Sequence, residues 1–140
     1  MAKKILIVGG KYLEFHVEHL NLSRPHRFRA RLLDPARALK ALKEESDFDA
    51  IVLDLDIKHG AELDMRETEN GELTGAIVVK KFRNAHPHSA FVLIDGAKQK
   101  KLKESGNVIF VSRTDVLSPE ALYDWLDDFL AHRREHQHAA

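Results

Sequence analysis

The sequence lacks three features that would each point to a class of protein. It contains no cysteine, which excludes disulfides, thiol catalysis and cysteine-ligated metals. It has no excess charge, since 22 basic and 22 acidic residues cancel, and this removes the usual electrostatic reason to expect a nucleic-acid partner. Its N-terminal apolar run, residues 5–8, is too short for a signal peptide or a membrane span. We therefore expect a cytoplasmic protein that binds neither nucleic acid nor membrane.

The length and composition favour one compact domain. The chain has 140 residues, of which 44% are hydrophobic, enough for a core and too many for a disordered chain. No internal repeat or linker divides it. We predict a single domain over residues 1–133 and a polar C-terminal tail over residues 134–140.

Short apolar segments alternate with segments of helical pattern along the chain. Two helix starts carry an N-cap residue followed by proline, at Asp34-Pro35 and Ser118-Pro119. Alternating strands and helices indicate a parallel sheet with right-handed crossovers. We predict an α/β, flavodoxin-like fold: a doubly wound five-stranded parallel sheet of order 2-1-3-4-5 with helices on both faces. The predicted strands are 5–8, 28–33, 50–53, 90–94 and 108–111, and the predicted helices are 11–21, one that begins at 34, 75–83, 97–105 and one that begins at 118.

Small or charged residues follow the predicted strands at one edge of the sheet. In sheets of this kind, ligands bind and chemistry takes place beyond the carboxyl ends of the strands. Asp54 ends the third strand, where a carboxylate is either a reactive group or a cap of the following loop. Residues 57–74, which come next, are acidic and without a strong period, and we predict an inserted loop there. The residues expected at this edge are Gly9, Gly10, Asp54, Asp56, Asp95 and Arg113.

Three segments resemble the receiver domain of the response-regulator family, and the likeness extends from Lys3 to about Leu130. VLDLD, residues 52–56, resembles the family's strand-three motif and places Asp54 on the aspartate that accepts a phosphoryl group. GAIVVKKFRNAHPHSAFVLI, residues 75–94, and GNVIFVSRTDVLSPEALYDWL, residues 106–126, resemble the later strands and helices. The resemblance implies a stand-alone, chemotaxis-regulator-like signal-transduction module of a bacterial two-component phosphorelay.

Several positions depart from the family pattern and indicate a divergent or pseudo-receiver member. Gly9 and Gly10 stand where the family carries an acidic pair that helps to hold Mg²⁺. Asp95 replaces a small hydroxyl residue, and Phe110, at the switch aromatic position, lacks a hydroxyl. The family's lysine after strand five falls on Arg113, or on the preceding serine, Ser112, if the register differs by one.

These departures weaken the chemistry that the resemblance implies. Aspartyl phosphorylation uses the carboxylate as nucleophile and needs positive charge, normally from Mg²⁺ and a lysine. Mg²⁺ could still bind to Asp54 and the backbone carbonyl of Asp56, although two carboxylates are missing. A permanent salt bridge between Asp95 and Arg113 would hold two loops together and mimic a fixed switch state. We therefore expect Asp54 to be phosphorylated poorly or not at all.

The resemblance also implies a protein partner, either a histidine kinase or a downstream effector. The family's usual contact face is the fourth helix, the fifth strand and the fifth helix. We expect a partner, or a second copy in a homodimer, to bind there. The partner-face residues are Lys100, Lys101, Lys103 and Phe110.

Two other functions fit the same predicted fold. The first is a small-molecule or nucleotide-binding module, whose pocket would lie between the Gly9-Gly10 turn and the loop 57–74. The second is a Mg²⁺-dependent, aspartate-based phosphatase, because Asp54 and Asp56 have the two-residue spacing that such enzymes use. Their nucleophile normally follows strand one, however, and here strand one ends in glycines.

Overall fold

A computed structural model of the chain describes residues 2–23, 26–54, 79–94 and 107–133. It contains a five-stranded, all-parallel sheet in the order β2-β1-β3-β4-β5. The predicted flavodoxin-like fold and its strand order are therefore confirmed, with β2 and β5 at the two edges. The strands are β1 (Lys3–Val8), β2 (Phe28–Leu33), β3 (Ala50–Asp54), β4 (Ala90–Ile94) and β5 (Val108–Val111).

Local sequence signals account for where the helices begin. The Asp34 side chain accepts a hydrogen bond from the backbone N–H of Arg37, and Ser118 accepts one from Ala121, so both predicted N-caps are confirmed. A 3₁₀ turn over Lys11–Leu13 precedes the first helix. Residues 79–82 are also helical, and the predicted start of that helix lies outside the described residues. The helices are α1 (Glu14–Leu22), α2 (Pro35–Glu44) and the C-terminal helix α3 (Pro119–Ala131).

Apolar side chains cover both faces of the sheet. Successive residues of β3 belong to different clusters: Ile51 and Leu53 pack with α2 and residues 79–82, whereas Ala50 and Val52 pack with α1 and α3. This alternation explains why β3 is a continuous apolar run, since a strand covered on both faces needs no polar side. Asp54 is the exception at its carboxyl end, and it is buried as well. Among the described residues, no helix is long and apolar enough to cross a membrane.

Candidate functional site

The strand register brings Asp54 to the middle of the carboxyl edge of the sheet. Asp54 is the last residue of β3, the central strand, and is only 3% exposed. On the β1 side, the register pairs Val8 with Leu53, so Asp54 lies beside the residue that follows Val8, which is Gly9. On the other side Asp54 is paired with Ile94, the last residue of β4. A carboxylate in this position is largely removed from water and needs a partner charge or hydrogen-bond donors.

Arg113 supplies both. Its guanidinium makes a bidentate contact with Asp54, with Nη2 at 2.8 Å from Oδ1 and Nη1 at 3.0 Å from Oδ2. Arg113 opens the 3₁₀ turn Arg113–Val116 directly beyond β5, so its side chain spans the end of β4 to reach β3. The side chain of Arg113 stays 31% exposed while that of Asp54 is buried. The planar guanidinium matches both carboxylate oxygens at once, which a lysine cannot do.

Tyr12 contacts both side chains and approaches them from the β1 side of Asp54. Its hydroxyl donates to Oδ2 of Asp54 and accepts from Nη1 of Arg113 at 3.0 Å. Tyr12 lies in the 3₁₀ turn that follows Gly9 and Gly10. A Cβ added to Gly10 would lie 3.6 Å from the Tyr12 ring, an ordinary van der Waals distance, so the ring lies beside Gly10 but does not require a glycine there. We call Asp54, Arg113 and Tyr12 the carboxylate cluster.

The environment of the carboxylate cluster shifts the pKa of Tyr12. Burial of the hydroxyl raises the pKa of Tyr12 well above its ordinary value, and the hydrogen bond to Asp54 and that residue's charge raise it further. Arg113 acts in the opposite direction without reversing the shift. The residue as a whole is nevertheless 44% exposed, although its hydroxyl is bonded to Asp54. The phenol is therefore held neutral, as a hydrogen-bond donor to the carboxylate.

The cluster does not fit a magnesium ion. A positively charged guanidinium lies against both oxygens of Asp54, where a cation would need them. Gly9 and Gly10 bring no side-chain oxygen to the adjacent strand end. Over residues 2–23, 26–54, 79–94 and 107–133, no group of three or more His, Asp or Glu side chains is arranged to hold a metal. Magnesium needs several oxygen ligands in near-octahedral geometry.

The other expected site residues divide into two groups. Phe110 lies on β5, partly buried against the core on the α2 face of the sheet, and the Ser112 hydroxyl lies 3.0 Å from that of Thr114. Arg113, rather than Ser112, therefore faces Asp54. The expected salt bridge from Arg113 to Asp95 stays a prediction. The positions outside the described residues are Asp56, the loop 57–74, Asp95, Lys100, Lys101 and Lys103.

Tyr12 was missed by sequence reasoning. It stands in a segment read as the first helix, three residues after Gly9, and carries no motif of its own. The usable signal is indirect: Tyr12 is the first aromatic residue after β1, the strand that pairs with β3. A tyrosine is long enough to reach the neighbouring strand while its ring remains partly apolar.

The chain is similar to a solved protein in its fold, whereas its sequence matches no known family. Models of known protein families give no match, and curated proteins give none either. Among solved structures, the chemotaxis response regulator CheY4 of Vibrio cholerae is similar to this chain, with a TM-score of 0.56 and 16% sequence identity. The match covers 91% of this chain and 98% of that one. At this identity the likeness shows the fold, in agreement with the strand order.

Proposed function

We propose that this protein is a receiver-like signal-transduction module that acts by binding another protein and has a blocked phosphoacceptor position. The observation that carries the proposal is the bidentate contact between Arg113 and Asp54 at the end of β3. Asp54 is the buried carboxylate at the carboxyl edge of a sheet similar to that of a chemotaxis response regulator. The same carboxylate is held by two side chains of the chain itself.

The chemistry of phosphoryl transfer explains why this arrangement blocks the site. The attacking carboxylate oxygen needs a clear path to the phosphorus, and the transferred group needs cations around its own oxygens. Here Oδ2 accepts hydrogen bonds from Tyr12 and Arg113, and Oδ1 accepts one from Arg113. An incoming phosphodonor would have to displace the guanidinium from a carboxylate that is 3% exposed. The positive charge of Arg113, which could stabilise the transferred group, instead stabilises the unreacted carboxylate.

A module without phosphorylation would act through a surface that is always presented. The bond from Arg113 links β3 to the turn after β5, and Tyr12 links both to the segment before α1. The end of β3, the turn after β5 and the segment before α1 are thereby held in a single arrangement. Such a fixed edge favours constitutive binding of a protein partner over a switch between two states.

Mass spectrometry of the intact protein tests the proposal. The chain is incubated with a small phosphodonor such as acetyl phosphate in excess Mg²⁺, beside Asp54→Asn as the control. We expect no added phosphate in either protein. A phosphate on most of the wild-type molecules that is absent from Asp54→Asn would overturn the blocked site and make this an ordinary phosphorylated receiver.

A further inference from the structure

A cavity lies at the amino edge of the sheet, at the opposite end of the strands from the carboxylate cluster. It is formed by the first residues of β1 and β2 and by the last turns of α3. Its volume of about 330 Å³ is at the lower end of the range for pockets that hold small molecules. The residues that line what we call the amino-edge cavity are Lys3, Arg27, Phe28, Asp127, Leu130 and Ala131.

The apolar part of the amino-edge cavity is fixed by packing. Phe28 lines the cavity with the small part of its surface that is left exposed, and its ring meets that of Tyr123 edge-on, with ring centroids 5.1 Å apart. Leu130 is partly buried against the same core cluster as Phe28. Since the core already holds both side chains in place, an apolar group that enters the cavity does not have to order them, and this lowers the cost of binding.

The charged side chains of the amino-edge cavity leave one positive charge uncompensated. Nη1 of Arg27 lies 2.7 Å from Oδ1 of Asp127, so these two charges offset each other. Lys3 is exposed, and it takes part in no ion pair with another residue that the structure describes. The uncompensated charge therefore favours an anionic group beside Lys3.

The negative charge around the cavity favours an anion with a single charge. The Asp127 carboxylate is part of the lining, and α3 ends at Ala131, where the carbonyl end of the helix carries a partial negative charge. Both would repel a phosphate dianion more strongly than a carboxylate. A carboxylate attached to an apolar group thus matches the charge and the packing of the cavity together.

We propose that the amino-edge cavity binds a small organic monocarboxylate. Its apolar part packs against Phe28 and Leu130, and its carboxylate lies against the Lys3 ammonium group. This binding is independent of the blocked phosphoacceptor position, because it uses no residue of the carboxylate cluster. Lys3 and Arg27 are exposed, so the ion pair with the ligand contributes modestly and the Kd is on the order of 1 mM.

An NMR titration of the full, isotope-labelled chain tests the proposal through the backbone amide signals. The probes are phenylacetate and phenylacetamide, which have nearly the same shape and differ in charge. Phenylacetate should shift the signals of Lys3, Phe28 and Ala131 in a saturable way, and phenylacetamide should bind at least about threefold more weakly. Without a saturable shift of these signals up to about 20 mM phenylacetate, or with equal binding of the amide, the proposal is wrong.

Two aspartate variants distinguish binding in the cavity from a general effect of charge. Asp127→Asn removes the negative charge from the lining and releases Arg27, so phenylacetate should bind about threefold more tightly. Asp128→Asn changes the next position of α3, an exposed residue outside the lining, and should leave the affinity unchanged. Equal effects of the two substitutions, or weaker binding to Asp127→Asn, would contradict the proposal.

Lys3→Met tests the position of the carboxylate. Methionine keeps an unbranched side chain and removes the charge, so phenylacetate should bind about threefold more weakly while phenylacetamide binds as before. Lys3 is exposed, and the amide spectrum of each variant shows directly whether the fold is kept. An unchanged affinity of Lys3→Met for phenylacetate would overturn the proposal.

Discussion

At the residue scale, Arg113 compensates the free-energy cost of burying the Asp54 carboxylate. A buried carboxylate is costly unless a charge or several donors compensate it, and breaking such a pair costs more than the pair contributes. The partners differ, because Asp54 is buried while the Arg113 side chain is 31% exposed and can return to water. The two single substitutions should therefore have unequal effects.

Arg113→Ala should lower the free energy of unfolding by about 2 kcal/mol at neutral pH, because it leaves a buried carboxylate with the Tyr12 hydroxyl as its remaining donor in the cluster. Asp54→Asn should cost about 1 kcal/mol, since the amide keeps the shape and Arg113 can turn to solvent. Urea unfolding measures both values. In the double variant the loss should be smaller than the sum of the single losses, and additive losses would show that the pair is not coupled.

The Tyr12 hydroxyl makes the stability of the folded protein depend on pH in the alkaline range. Its folded-state pKa is raised above the ordinary value near 10, so the native state keeps the phenol proton at a pH where the unfolded chain has lost it. The stabilisation is fully present below pH 10 and is lost as the pH rises above it.

Wild-type protein should therefore lose more free energy of unfolding than Tyr12→Phe as the pH is raised from 9 to above 10. Lysines titrate in the same range, but they are common to both proteins and cancel in the difference. Denaturant unfolding at several pH values gives this difference directly. Parallel curves for the two proteins would mean that the hydroxyl is not engaged as described.

At the scale of elements, short polar contacts fix how the helices join the sheet edge. His16 ties α1 to the turn after β5 through two carbonyl groups, and that turn carries Arg113. The same turn leads into α3, whose first turn is capped by Ser118. The position of Arg113 is thus set by the contacts of the His16 side chain with the turn and by the start of the C-terminal helix.

Ser118→Ala should lower the free energy of unfolding by about 1 kcal/mol, because the backbone N–H of Ala121 loses its side-chain acceptor. Ser118→Asp should restore most of the loss, since aspartate is an equally good N-cap and its charge is favourable at a helix N-terminus. Thermal unfolding of the three proteins provides the comparison. A Ser118→Asp protein as unstable as Ser118→Ala would contradict the capping role.

At the scale of the whole molecule, the sequence predicted the fold better than the site. Asp34-Pro35 and Ser118-Pro119 signal helix starts through local chemistry, and the apolar run at 50–53 signals a strand covered on both faces. The contact between Arg113 and Asp54 joins residues 59 positions apart, across an intervening strand. No local pattern encodes which carboxylate a long arginine side chain reaches. The contact of Tyr12 with Asp54 was not predicted for the same reason, since it also joins residues that are far apart in the sequence.

The most direct test of the blocked carboxylate is a crystal structure grown with excess Mg²⁺ and beryllofluoride, which mimics a phosphoryl group on an aspartate. We expect that neither binds and that both Asp54 oxygens remain bonded to the Arg113 guanidinium, with the Tyr12 hydroxyl on Oδ2. Beryllofluoride bound to Asp54 beside a magnesium ion, with Arg113 displaced, would contradict it.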